Sequence, residues 1–279
     1  MVIRVHFQWL SILTLMAGIQ SVSAAEFPSV EIIAHRGASH DAPENTLPAL
    51  KLGFEQKCDA GELDVWISKD GRAVVIHDDN TGRTGDMPKQ VTEQTLAELQ
   101  TLDAGQWFNG KFKGTKIPTL EEGLQTTPPG KRMFVEIKCG TAGVPEILRA
   151  IAAVGLKPEQ TPVISFKADV IAAVKKARPE LKAYWIVSLK NKVGRPGPTA
   201  AELIAQAKTI HADGLDLSDN SVLDEVFAKQ VKDANLALYV WTVDSPTAAK
   251  RLVKLGVDGI TTNRPGWLRE QLWPQAVGK

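Results

Sequence analysis

From Glu31 onward the chain switches repeatedly between two hydrophobic periods. Short apolar runs at Glu31–Ala34, Gly61–Ile67, Arg132–Ile137, Pro162–Phe166, Ala183–Val187, Asp213–Leu217, Leu238–Val243 and Gly259–Thr262 have the length and flanks of strands. Between them lie segments with helical spacing. Val144–Val154 places apolar residues at 144, 147, 148, 151 and 154, and Thr46–Gln56, Asp169–Ala177, Thr199–Ala207, Val222–Ala234 and Pro246–Leu255 behave likewise. Strands alternating with helices, several strands being near-continuous apolar runs, predict an α/β protein of the (β/α)8 TIM-type barrel class. A doubly wound open sheet is the competing arrangement. It is weakened because no Gly-rich dinucleotide loop follows the first strand.

One insertion breaks the alternation. Asp70-Gly71 is a hairpin signal that turns Ala73–Ile76 back against the end of the second strand. Residues from about 80 to 118 then form a Gly- and Thr-rich excursion with one expected helix, Glu93–Leu102. Barrel active sites sit on loops after the strands, so this excursion is either a rim of the site or a surface decoration. Gly194–Pro198 reads as a surface loop, and no internal repeat is evident.

The beginning of the chain reads differently. Arg4 is the only charge before Glu26, an apolar stretch runs from about Phe7 to Ile19, and small residues follow up to Ala25. Residues 1–25 are therefore expected to be a secretory signal peptide, with residues 26–279 as one barrel domain that is periplasmic or secreted. The apolar stretch falls short of the roughly 20 residues a membrane span needs, so no stable membrane insertion is expected. Cleavage removes Arg4 and leaves 32 Lys and Arg against 32 Asp and Glu. This balance gives no reason to expect nucleic acid or an anionic membrane as partner. Cys58 precedes the second strand and Cys139 follows the third. They should lie at opposite ends of the barrel, about 17–20 Å apart for a strand of five or six residues. A disulfide needs Cα atoms within about 7 Å, so none is expected.

The chemistry concentrates at strand ends. Glu62 and Asp64 are two apart on one strand and share a face. Glu136 ends another strand. Three carboxylates in one barrel mouth make a hard-oxygen ligand set for one divalent cation, Ca2+ or Mg2+. A salt-bridged barrel interior is the alternative. No cluster of Cys and His ligands points to zinc. His35 and His77 end strands on either side of this acidic group, and imidazole is suited to moving protons near neutral pH. Arg36 follows His35, and Lys138 shares a face with Glu136. A cation with Arg and Lys around one point suits a phosphoryl group, although Lys138 could equally be a strand-end lysine reaching for solvent.

The ordered set His35-Arg36-Gly37, Pro43-Glu44-Asn45-Thr46, Glu62-Leu63-Asp64-Val65, Asp70-Gly71, His77-Asp78, Arg83-Thr84, Ile117–Glu122, Glu136-Ile137-Lys138, Trp241-Thr242-Val243 and Gly256–Pro265 resembles the glycerophosphodiester phosphodiesterase family over nearly all the chain after the signal segment. The resemblance implies His35 and His77 as an acid/base pair and Glu62, Asp64 and Glu136 as ligands of one divalent cation. It implies that Arg36 and Lys138 bind the phosphodiester, and that Phe166 and Trp241 wall the alcohol side of the pocket. Two departures bear on substrate fit. The stretch 79–85 matches the family pattern loosely, and Asn263 stands where an aspartate is common.

The expected activity is metal-dependent hydrolysis of a small-molecule glycerophosphodiester to glycerol 3-phosphate and an alcohol. A phospholipase D-like or phosphoinositide-type diesterase would need an apolar rim or basic patch to meet lipid. A non-enzymatic phosphodiester-binding protein would not need two histidines beside a cation.

Overall fold

The computed structural model describes residues 30–190 and 197–274. The expected signal segment, and residues 194–196 of the expected surface loop, lie outside the described residues.

In chain order the strands are β1 (Glu31–Ala34), β2 (Ala60–Ile67), β3 (Ala73–Val75), β4 (Arg132–Ile137), β5 (Val163–Ser165), β6 (Ala183–Val187), β7 (Gly214–Ser218), β8 (Ala237–Trp241) and β9 (Gly259–Thr262). They form one sheet in the order β1-β9-β8-β7-β6-β5-β4-β2-β3, which a further β1–β2 pairing closes. Every pair is parallel except β2–β3. Eight parallel strands therefore make a closed (β/α)8 barrel, and β3 is a return strand against the far end of β2. The open-sheet alternative fails on the closure.

Helices cover the outside: α1 (Leu47–Glu55), α2 (Leu96–Leu99), α3 (Leu120–Leu124), α4 (Val144–Val154), α5 (Ala168–Ala177), α6 (Ala200–Thr209), α7 (Glu225–Asp233), α8 (Pro246–Lys254) and α9 (Pro265–Leu272). Strand alternation divides the core. Leu63, Val65, Val135, Ile137, Leu215 and Leu217 point outward into the helix-facing cluster. Ile33, Phe134, Ile164, Tyr184 and Tyr239 fill the barrel interior. At its closed end Arg132 pairs with Glu31 and donates to the Tyr239 hydroxyl at 3.0 Å.

The excursion differs from its sequence reading. In place of one helix over 93–102 there is a 3-10 turn, Val91–Glu93, and then the short α2. Gln94 breaks them apart: its backbone is extended, and its buried amide donates to the carbonyls of Lys89 and Gln90. The helices α3 and α9 were not among the expected elements. At five residues α3 is too short to display a period, although Thr119 and Glu122 form its capping box. Pro265 opens α9.

Candidate active site

The site is built where β2 outruns β1. Ala34, the last residue of β1, pairs with Gly61, so Glu62 and Asp64 emerge beyond the end of β1. On the other side Asp64 is the register partner of Glu136 on β4. One carboxylate oxygen from each of Glu62, Asp64 and Glu136 lies within 4.8 Å of the others, and all three residues are buried.

The turn after β1 is shaped to reach this group. Arg36 has φ 54 and Gly37 φ 80, both in the left-handed region. A Cβ on Gly37 would meet the backbone carbon of Ala49 at 2.4 Å, so only glycine fits. The turn aims the Arg36 amide at Glu62 Oε2, a hydrogen bond of 2.7 Å. A side chain tolerates such a backbone only where its surroundings enforce it. Here they do: Arg36 Nη1 donates to Glu44 Oε1 at 2.8 Å, and its Nε lies 3.3 Å from Asp64 Oδ2. Asn45, also left-handed, closes a pair with Asp64, receiving its amide at 3.0 Å and donating to Oδ2 at 2.7 Å. Lys138 Nζ lies 2.8 Å from Glu136 Oε1 and 3.5 Å from Asp64 Oδ1.

The electrostatics follow from crowding. Burial, and then the charges of Asp64 and Glu136, hold Glu62 well above the usual carboxylate range. Burial and the Asp64 charge push Glu136 up to about 7. Burial also opposes ionisation of Asp64, but Arg36 and Lys138 outweigh it and its pKa is lowered. Glu62 Oε1 and Asp64 Oδ1 are buried without a hydrogen-bond partner. Convergent carboxylates with orphaned oxygens fit a hard cation with oxygen ligands.

His35 and His77 flank the group and are held differently. His35 Nδ1 lies 2.7 Å from Asn263 Oδ1. The Asn263 amide nitrogen donates to Asp244 Oδ2 at 2.6 Å, which fixes the amide with its oxygen toward the ring. His35 therefore carries its proton on Nδ1 and leaves Nε2 with a free lone pair. Burial, and then the Arg36 charge, lower its pKa to about 4. His77 follows β3, and the Ile76 amide donates to the Asp64 carbonyl at 3.0 Å. Its Nδ1 lies 2.7 Å from Asp78 Oδ1. Arg83 grips Asp78 and reaches Glu44 with two further bonds of 2.8 Å. The hydrogen bond from Arg83 leads the causes that hold the Asp78 carboxyl at about 2.

Phe166 and Trp241 meet edge to face at the mouth, centroids 5.3 Å apart, and Lys138 Nζ lies 5.8 Å from the Phe166 centroid. All nine residues singled out in the sequence thus fall at one end of the barrel. Sequence reasoning gave no role to Glu44, Asn45, Asp78, Arg83 or Asp244. The first four lay in plain view inside the quoted motifs. Cys58 and Cys139 are both free, one before β2 and one after β4.

Fold and site together define a barrel enzyme of phosphodiester chemistry. The chain belongs to the glycerophosphoryl diester phosphodiesterase family, whose profile matches residues 35–267. A glycerophosphodiester phosphodiesterase of Caldanaerobacter subterraneus is 35% identical over 241 residues, covering 84% of this chain and 94% of the relative. One from Bacillus subtilis is 29% identical, covering 84% and 83%. Among solved structures, an Oleispira antarctica phosphodiesterase in complex with the product sn-glycerol-3-phosphate superposes with a TM-score of 0.76 at 28% identity, covering 87% of this chain and 96% of that one. The protein is accordingly an enzyme, a phosphodiesterase for glycerophosphodiesters.

Proposed function

We propose that the enzyme hydrolyses glycerophosphodiesters to glycerol 3-phosphate and an alcohol with one divalent cation, Ca2+ or Mg2+, held by Glu62, Asp64 and Glu136. The observation that carries this reading is the convergence of three buried carboxylates, two with orphaned oxygens, between two imidazoles. When bound, the cation would polarise the phosphoryl group and offset its charge.

The chain's own residues supply the rest. Arg36 and Lys138 bind the phosphodiester oxygens. His35, neutral and with Nε2 free, takes the proton of the attacking hydroxyl, which is either water, giving glycerol 3-phosphate directly, or the 2-hydroxyl of the glycerol, giving a cyclic phosphate that water then opens to glycerol 3-phosphate. His77, oriented by Asp78 at its Nδ1, gives a proton to the leaving alkoxide. Phe166 and Trp241 wall the alcohol side. Residues 1–25 direct export in this reading, and sequencing the N-terminus of the processed protein tests that. Among the described residues no helix is long and apolar enough to cross a membrane.

The test of the function is release of glycerol 3-phosphate from a panel of glycerophosphodiesters. The account expects release that chelation abolishes and a divalent cation restores. Absence of release from every diester, with cation supplied, would remove it.

A further inference from the structure

β7 brings a fourth acid into the barrel. Leu215 and Leu217 point outward into the helix-facing core, so Asp216 lies on the interior face. In the closed sheet β7 stands four strands from β2 by either route, and Asp216 therefore faces Glu62 and Asp64 across the barrel. It is only 3% exposed, and its Oδ1 is buried without a hydrogen-bond partner. Of the other interior acids, Glu31 has Arg132 beside it, and Glu136 and Asp64 have Lys138. Asp216 has none. Burial, and then the charge of Glu136, push it up to about 8. A carboxyl can accept a hydrogen bond from a hydroxyl in either protonation state.

A buried polar group left without a partner calls for an explanation, and a ligand is one. The surroundings say which kind. The Trp241 indole donates to the main-chain carbonyl of Asp216 at 3.1 Å, so the aromatic corner of Trp241 and Phe166 is tied to this residue. Phe166 is 44% exposed. Lys138, close to the Phe166 ring, disfavours a second cation there. A polyhydroxy alcohol fits instead, with its C–H faces on the rings and a hydroxyl on the carboxyl.

We propose that Asp216 is a specificity-determining residue that hydrogen-bonds a hydroxyl of the leaving alcohol, giving preference to diesters of polyols such as glycerol over those of choline, which offers no donor. This rests on the functional reading above, with Phe166 and Trp241 on the alcohol side.

The experiment compares kcat/KM for glycerophosphoglycerol and glycerophosphocholine in the wild type, Asp216→Leu and Asp216→Asn. A site built to hydrogen-bond a hydroxyl discriminates strongly against a ligand lacking it, so the wild-type ratio should be about 10 or more. In Asp216→Leu it should collapse toward unity. Asn, which keeps a donor and an acceptor, should retain most of it. A wild type without preference, a Leu variant with the wild-type ratio, or an Asn variant as indifferent as Leu would each overturn the proposal. If neither diester is cleaved, the functional reading fails by itself. Equilibrium binding of the same two diesters to wild type and Asp216→Leu then decides the subsite by the same ratio.

Discussion

Asp64 and Glu136 are register partners on adjacent parallel strands, so two buried carboxylates stand side by side with Glu62 two residues away. Sheet neighbours lie about 4.8 Å apart, and like charges placed so are destabilising. The protein keeps this arrangement although it lifts Glu136 from its ordinary 4.5 to about 7 and lifts Glu62 in the same direction.

That shift has a sign in stability. A carboxyl whose folded pKa is raised contributes most below its unfolded pKa, and the contribution is lost as pH climbs through the folded value. For Glu136 the window runs from about 4.5 to about 7. Stabilisation by calcium, read as the difference in melting temperature with and without chelator, should therefore grow across that window as metal displaces protons. A difference that stays flat from pH 4.5 to 7.5 would contradict the crowded-carboxylate account.

His35→Ala and His77→Ala should each lower turnover by about 10²- to 10⁴-fold, the range for losing a general acid or base. Their folds should survive. The roles can be separated with a substrate whose alcohol leaves without protonation, such as a nitrophenyl diester. His77→Ala should lose far less on it than His35→Ala. Equal losses on both substrates would remove the assignment of base to His35 and acid to His77.

Arg83 touches no reacting group in this account, yet it holds the carboxylate that orients His77 and ties it through Glu44 to Arg36. Arg83→Ala should lower kcat about 10- to 100-fold, the scale for partners that orient a functional group, with little change in KM or melting temperature. A rise in KM with kcat unchanged would make Arg83 a substrate contact instead.

What could be read in the sequence follows from where charge meets period. Glu62, Asp64 and Glu136 stood out because acids sat on one face of otherwise apolar strands. His35 and His77 stood out because they ended such strands. Partners brought together by closure carry no such mark. His35 and Asn263 are 228 positions apart, and only the β1–β9 pairing joins them. Asp216, one acid between two leucines, reads as an ordinary alternation until the barrel shows which face is inside. The short α3 was hidden because five residues cannot display a helical period, and α2 is shorter than the helix expected over Glu93–Leu102 because the extended Gln94 backbone cuts it off.

The central claim is that three carboxylates hold one cation that the reaction needs. The direct measurement titrates calcium into chelated protein while following both heat and glycerol 3-phosphate release. The account predicts one ion per chain, with activity rising in step with occupancy, and loss of both in Glu136→Gln. Full activity before any calcium is added, or one ion bound by Glu136→Gln as tightly as by the wild type, would contradict it.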